Sequence, residues 1–221
     1  MRLHFDLSPN QEPVPFDYQH FLIGVFNKWL GNNEQHDEIS LYSLSWLYQG
    51  FARNGALEFP KGARWFISVY DESLIPKMTD SILAQPDVCC GMRVIKTVQQ
   101  KTPDFDDTYT FKVGSPVLAK SKMIEGKVKH YIFSDAEANE ILTATLRHKM
   151  DIAGLSPANK KVNVRFDSKY KYPRTKLVRI KDIGNRASIC PVIVEGIPEA
   201  VAFAWNVGVG HGTGSGFGSL L

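Results

Sequence analysis

Between residues 208 and 218 glycine occupies every second position, GVGHGTGSGFG, six glycines in eleven residues. A segment without Cβ atoms adopts positive φ values and lets a second backbone or a phosphate chain approach closely, at a high conformational-entropy cost. The dinucleotide pattern G-x-G-x-x-G is absent, because Thr213, Ser215, Phe217 and Ser219 fall where its third glycine belongs. No Gly-Lys-Ser/Thr follows, and the three residues after the run leave no room for the helix that both nucleotide motifs open. No nucleotide cofactor is therefore expected.

The rest of the chain reads as strands and amphipathic helices. Leu3, Phe5 and Leu7 alternate with polar residues, a half-buried strand. Asp17 is placed to cap a helix carrying Phe21, Leu22, Val25, Phe26, Trp29 and Leu30, closed by Gly31. Residues 41–50 and 65–70 read as strands. Asp71 then opens a second helix through Leu74, Ile75, Met78, Ile82 and Leu83, and residues 91–100 supply another strand. The order β-α-β-β-α-β is the ferredoxin-like plan, shared by RNA-recognition modules. Polar residues 101–107 mark a boundary. Beyond it come a strand at 109–113, a hairpin or loop at 120–129, and a helix predicted from the Ser134/Glu137 capping box. Extended stretches follow at 162–166, 176–181 and 187–195, then a helix starting at Pro198 and a last short strand at 218–221. The expected class is α+β, two tandem ferredoxin-like (RRM-like) domains, 1–103 and 104–221, with a C-terminal glycine-rich loop.

Charge is uneven although the net value is only +3. Residues 120–186 hold 16 Lys and Arg against 7 Asp and Glu, and the remainder holds 10 against 16. An anionic polymer suits the basic part. Within it, Lys169, Tyr170, Lys171, Tyr172, Arg174, Lys176, Arg179 and Lys181 interleave cations with aromatics, which suits phosphate contact and base stacking. Strand alternation puts Arg179 and Lys181 on one face and Lys176 on the other. Three cysteines without C-x-x-C spacing point to neither a disulfide framework nor zinc, and to the reducing cytoplasm. No apolar run approaches the roughly 18 residues of a membrane span, and no signal peptide or metal is expected.

Gly208, Gly210, Gly216, Phe217 and Gly218 follow the pattern G-x-G, five residues, G-F-G, preceded by Gly196-Ile197-Pro198-Glu199. This C-terminal signature resembles that of the Cas-six family of CRISPR RNA-processing endoribonucleases, in the wider RAMP group. The helix at 18–30, His36, and the hydroxyl-aromatic stretch 40–46 resemble that family's first helix, active-site histidine and following strand. The resemblance implies metal-independent, cofactor-free cleavage of CRISPR repeat RNA by 2′-hydroxyl attack, leaving a cyclic phosphate. It makes His36 the catalytic histidine, with His20 as runner-up and Tyr42 as a substrate-orienting group. Lys169, Lys171, Arg174, Lys176, Arg179, Gly208, Gly210, His211, Gly216 and Gly218 are the expected RNA-binding residues. CRISPR repeat RNA is the expected partner, with effector-complex subunits and a second copy of the chain as further candidates. The alternative is a non-catalytic RNA-binding RAMP subunit of an effector complex.

Overall fold

The structure, a computed structural model, describes residues 1–31, 40–123, 126–180 and 183–221. In the first half, β1 (Arg2–Leu7) buries Leu3, Phe5 and Leu7, as its alternation predicts. Helix α1 (Gln19–Leu30) follows, then β2 (Tyr42–Leu44), β3 (Phe51–Arg53), β4 (Ala56–Glu58), β5 (Arg64–Val69), α2 (Leu74–Ala84) and β6 (Val94–Gln100). The main sheet runs β2-β5-β1-β6 with every pair antiparallel, which is the ferredoxin-like order. Phe5, Trp29 and Trp65 form a fully buried aromatic cluster with ring centroids 5.4–5.7 Å apart. Burying each such side chain stabilises the fold by about 1.5–3 kcal/mol.

The second half repeats the plan. It contains β7 (Thr108–Phe111), β8 (Ala119–Lys122), β9 (Val128–Tyr131), α3 (Glu137–Ile152) and β10 (Asn163–Phe166). It continues with β11 (Arg174–Ile180), β12 (Ile183–Ile189), β13 (Val192–Glu195) and α4 (Pro198–Val207). The sheet order is β10-β13-β7, and a bridge from Val113 to Leu220 supplies the fourth position. The hairpins β8–β9 and β11–β12 are insertions into that plan, each a two-stranded sheet of its own. A second core, with Phe111, Leu142, Leu146 and Trp205, lies between this sheet and its helices.

Several local expectations are corrected. The predicted strand at 41–50 is only three residues long. Ser45 N–H still pairs with Phe66 O at 3.0 Å, but Trp46 N–H turns away to Gly114 O at 3.0 Å and pairing resumes at Tyr48. The hairpin β3–β4 was not predicted, although Asn54-Gly55, with φ of 49° and 79°, is the usual signature of a tight hairpin turn. The predicted strand at 187–195 is two strands, broken at Cys190-Pro191, because proline has no N–H for a ladder. Neither Asp17 nor the Ser134/Glu137 pair caps its helix. Asp135 instead holds the turn before α3, its carboxylate accepting from Ile132 N–H at 2.7 Å. Asp71 accepts from Ser73 N–H just ahead of α2, and Pro198 occupies the first turn of α4 as predicted.

The two halves meet over a buried arginine. The Arg2 guanidinium lies between the rings of Phe66, 4.0 Å away, and Trp205, 3.8 Å away, one from each half. It donates to Ser68 Oγ and to Leu220 O, both at 2.6 Å. Loss of hydration lowers its pKa to about 9.

Candidate nucleic-acid interface

Gly208 ends α4 with φ of 70°, and the chain then doubles back on itself. Val209 N–H donates to Gly218 O (2.9 Å), His211 N–H to Leu118 O (2.8 Å) and Gly218 N–H to Pro116 O (2.9 Å). A Cβ on Gly208 would sit 2.6 Å from Gly218 O, and one on Gly210 2.6 Å from Leu118 O. A Cβ on Gly218 would collide with Val209 O. Close approach of backbone to backbone therefore accounts for these three glycines, and the amides of Val209, His211 and Gly218 already have protein partners.

The loop is also pinned from below. Lys149, 2% exposed on α3, donates to Val207 O (2.9 Å) and Thr213 Oγ1 (2.8 Å). Burial lowers its pKa to about 7. From the first half, Trp46 Nε1–H donates to Gly216 O at 2.8 Å, and Tyr42 packs against Gly214 and the Phe26 ring. The glycine run is thus a seam between the halves.

One side of that seam is open. A cleft of about 530 Å³ is lined by His20 and Asn27 of α1, Lys120 of β8, Asn185 of β12, and Gly212 and Ser215 of the glycine run. His20 is exposed, its Nδ1 lying 2.7 Å from Asp17 O. The cleft thus joins an imidazole, an amine, two amides and a hydroxyl. His211, beside it, borders a smaller cavity with Ser40, Thr145 and Lys149. Its pKa is lowered by burial first and by Lys120 second. His36 and Lys181 lie outside the described residues. Tyr42 is half-buried and does not border the cleft.

The basic segment forms the other surface. Lys169, Lys171, Arg174, Lys176 and Arg179 are exposed along the approach to β11 and on β11 itself. Tyr170 and Tyr172 are exposed beside them, in an edge-to-face pair. Alternation along β11 holds as expected: Lys176 lies over Trp46 on the side of the buried Val178, and Leu177, 61% exposed, and Arg179 take the other face, while all four border one pocket of about 500 Å³. Among the described residues β11 pairs with β12 alone, and its other edge runs along this pocket. Pro15, Phe16, Asp17, Gln19, Gly55 and Trp46 complete the lining, and the Lys176 ammonium lies 4.9 Å from the centre of the Trp46 ring.

Sequence reasoning missed Gln19, Trp46 and Lys149. Gln19 recurs at helical spacing with Leu22 and Phe26, and Lys149 with Leu142 and Leu146, so each is a polar residue on an apolar face. That pattern was the available signal. Among the described residues, no group of His, Cys, Asp and Glu is arranged to hold a metal, and no helix is long and apolar enough to cross a membrane.

Comparison with known proteins bears on this arrangement. Among curated proteins none matches the sequence. Solved structures match over the whole chain. A Cas6-related protein from Pyrococcus furiosus has 19% identity and a TM-score of 0.86, covering 100% of this chain and 97% of that one. A structure described as CRISPR associated protein Cas6 has 21% identity and a TM-score of 0.82, covering 100% and 98%. A RAMP protein described as binding different RNA substrates has 17% identity and a TM-score of 0.84, covering 100% and 98%. At these identities the likeness is one of fold, tandem ferredoxin-like. The family model for CRISPR associated protein Cas6, C-terminal, matches residues 99–220, more than half of the sequence and including the whole glycine run. The chain belongs to the Cas6 family of CRISPR-associated proteins.

Proposed function

We propose that this chain is an endoribonuclease that cleaves CRISPR repeat RNA without a metal ion. Membership of the Cas6 family ties it to CRISPR RNA processing in general. The observation that carries the finer reading is the cleft beside the glycine run, where His20, Lys120, Asn27 and Asn185 converge. In the reaction, a base takes the proton of the 2′-hydroxyl, whose oxygen bonds to the adjacent phosphorus. The bond to the 5′-oxygen breaks, and an acid returns a proton to that leaving oxygen. A cyclic phosphate and a 5′-hydroxyl result. Histidine suits both proton transfers near neutral pH, and Lys120 with the cleft amides suits the charge on the phosphorane. His36 is the first candidate for base or acid, since its segment joins α1, which lines the cleft through Asn27, to β2. His20 is the second, and Tyr42, packed against Gly214 and Phe26, orients substrate only through the glycine run. The units are residues 1–103 and 104–221, the site of action is the cytoplasm, and repeat RNA is the partner, with effector-complex subunits or a second copy of the chain as further ones.

Incubation of repeat RNA with the protein in chelator tests this. Wild type should cut, and His36→Ala should slow cutting by about 100-fold or more while binding persists. The structure described as a RAMP protein binding different RNA substrates matches as well as the Cas6 structures do, and the second reading is a non-catalytic RNA-binding subunit. Wild type that binds the repeat and never cuts it would establish that reading in place of the first.

A further inference from the structure

The pocket between α1 and the free edge of β11 is bordered by Gln19, whose unpaired amide lies just beneath its surface. Gln19 is 2% exposed, and neither its Oε1 nor its Nε2 has a hydrogen-bond partner among the described residues. A buried amide without partners is costly, and polar groups in folded proteins rarely stay so. Around it stand Phe16, 47% exposed, and Trp46, with Lys176 and Arg179 on the β11 side.

Resting on the RNA-binding reading above, we propose that this pocket takes one unpaired nucleobase of the RNA, with adenine preferred, and that Gln19 reads its edge. The chemistry of the amide selects the ligand. A carboxamide presents an acceptor and a donor side by side, whereas a phosphate offers acceptors only. A base edge matches it, and adenine does so through its exocyclic amine and N7, the usual partner of glutamine in base readout. Phe16 and Trp46 supply ring faces for stacking. Lys176 and Arg179 lie where the phosphates flanking that base would pass. The Asp17 carboxylate, across the pocket on the α1 side, repels a phosphate path there and leaves the β11 edge as the route. The pocket, at about 500 Å³, lies within the usual range for a small-ligand site. Both amide atoms are shielded from solvent, so the base must displace a side chain to reach them.

The test uses the full chain and two fluorescent RNAs of about 12 nucleotides, oligouridylate and the same oligomer with adenine at every third position, at one fixed salt concentration. Wild type should bind the adenine-bearing RNA about tenfold more tightly, the scale of one bidentate base contact. Gln19→Met should bring both RNAs to the oligouridylate affinity while raising the melting temperature by about 2–4 °C, because it removes an unpaired buried amide. Gln19→Glu, which keeps the acceptor and loses the donor, should also erase the preference. Lys176→Ala should weaken both RNAs equally. A preference that survives Gln19→Met, or none in wild type, overturns the base pocket while RNA binding stands. Binding to neither RNA overturns both readings.

Discussion

The glycine run and the β11–β12 hairpin are both expected from sequence to hold RNA, and they are physically opposite. The glycine run is mostly buried, crossed by protein hydrogen bonds and braced by Lys149 and Trp46. The hairpin is a two-stranded sheet that turns Val178 and Ala187 onto Leu118 and Phe217 and leaves Arg174, Lys176, Arg179 and Arg186 exposed. The first resists change because all of it except His211, Gly212 and Ser215 is buried. The second is free to meet an anionic chain because its cations are exposed. A glycine-rich signature can thus mark a family through the packing that it makes necessary, while the exposed cations stand elsewhere on the surface.

The largest effect that bears on this contrast is at Gly218. Its φ of 60° is in the left-handed region, and an added Cβ would strike the Val209 carbonyl. Gly218→Ala should therefore lose about 3 kcal/mol or more, from backbone strain and steric overlap together, read as a lower urea midpoint. A variant of wild-type stability that no longer binds RNA would reverse the reading, giving the glycine to the ligand and not to the seam.

The hairpin should behave the other way. Lys176→Ala combined with Arg179→Ala removes two exposed cations that have no carboxylate partner among the described ion pairs. Stability should stay within about 0.5 kcal/mol of wild type. RNA affinity should fall about tenfold, and the dependence of log affinity on log salt should flatten by about 0.7 per lost phosphate contact. Loss of stability with unchanged affinity would make the hairpin structural.

Periodicity made the element order of the first half legible, since Leu3, Phe5 and Leu7 and the stripe from Leu22 to Leu30 each declare one buried face. The second half was legible as a loose repeat of that plan. The hairpin β3–β4 was missed because its flanks do not alternate. All three residues of β3 are exposed, so only Asn54-Gly55 betrayed it. The break in pairing at Trp46, just past β2, depends on a carbonyl in the other half, Gly114, which no local pattern encodes. The same limit applies to the site. Charge density found the hairpin, but Gln19 and Lys149 gain their meaning from the apolar faces that carry them and from partners, or the lack of them, distant in sequence.

Lys149 offers the finest distinction between seam and surface, because its effect appears only in pH. Burial lowers its pKa to about 7, and Lys120 and an imidazole whose own pKa is lowered, His211, are the nearby titratable groups. In the unfolded chain the amine keeps its proton to about pH 10.4. Above pH 7 the unfolded state therefore binds more protons than the folded state, and stability rises with pH. The thiols of Cys89 and Cys190, raised by burial to about 12 and about 11, act in the opposite direction once unfolded thiols ionise near pH 8.5. The clean window is thus about pH 7 to 8.5. There, wild type should gain about 1.5 kcal/mol relative to Lys149→Met, whose profile lacks this rise. The Met1 amine, also lowered by burial, contributes equally to both proteins and cancels. Parallel profiles would mean that Val207 O, Gly208 O and Thr213 Oγ1 hold the proton on Lys149 throughout, and that the loop rests on a permanent buried cation.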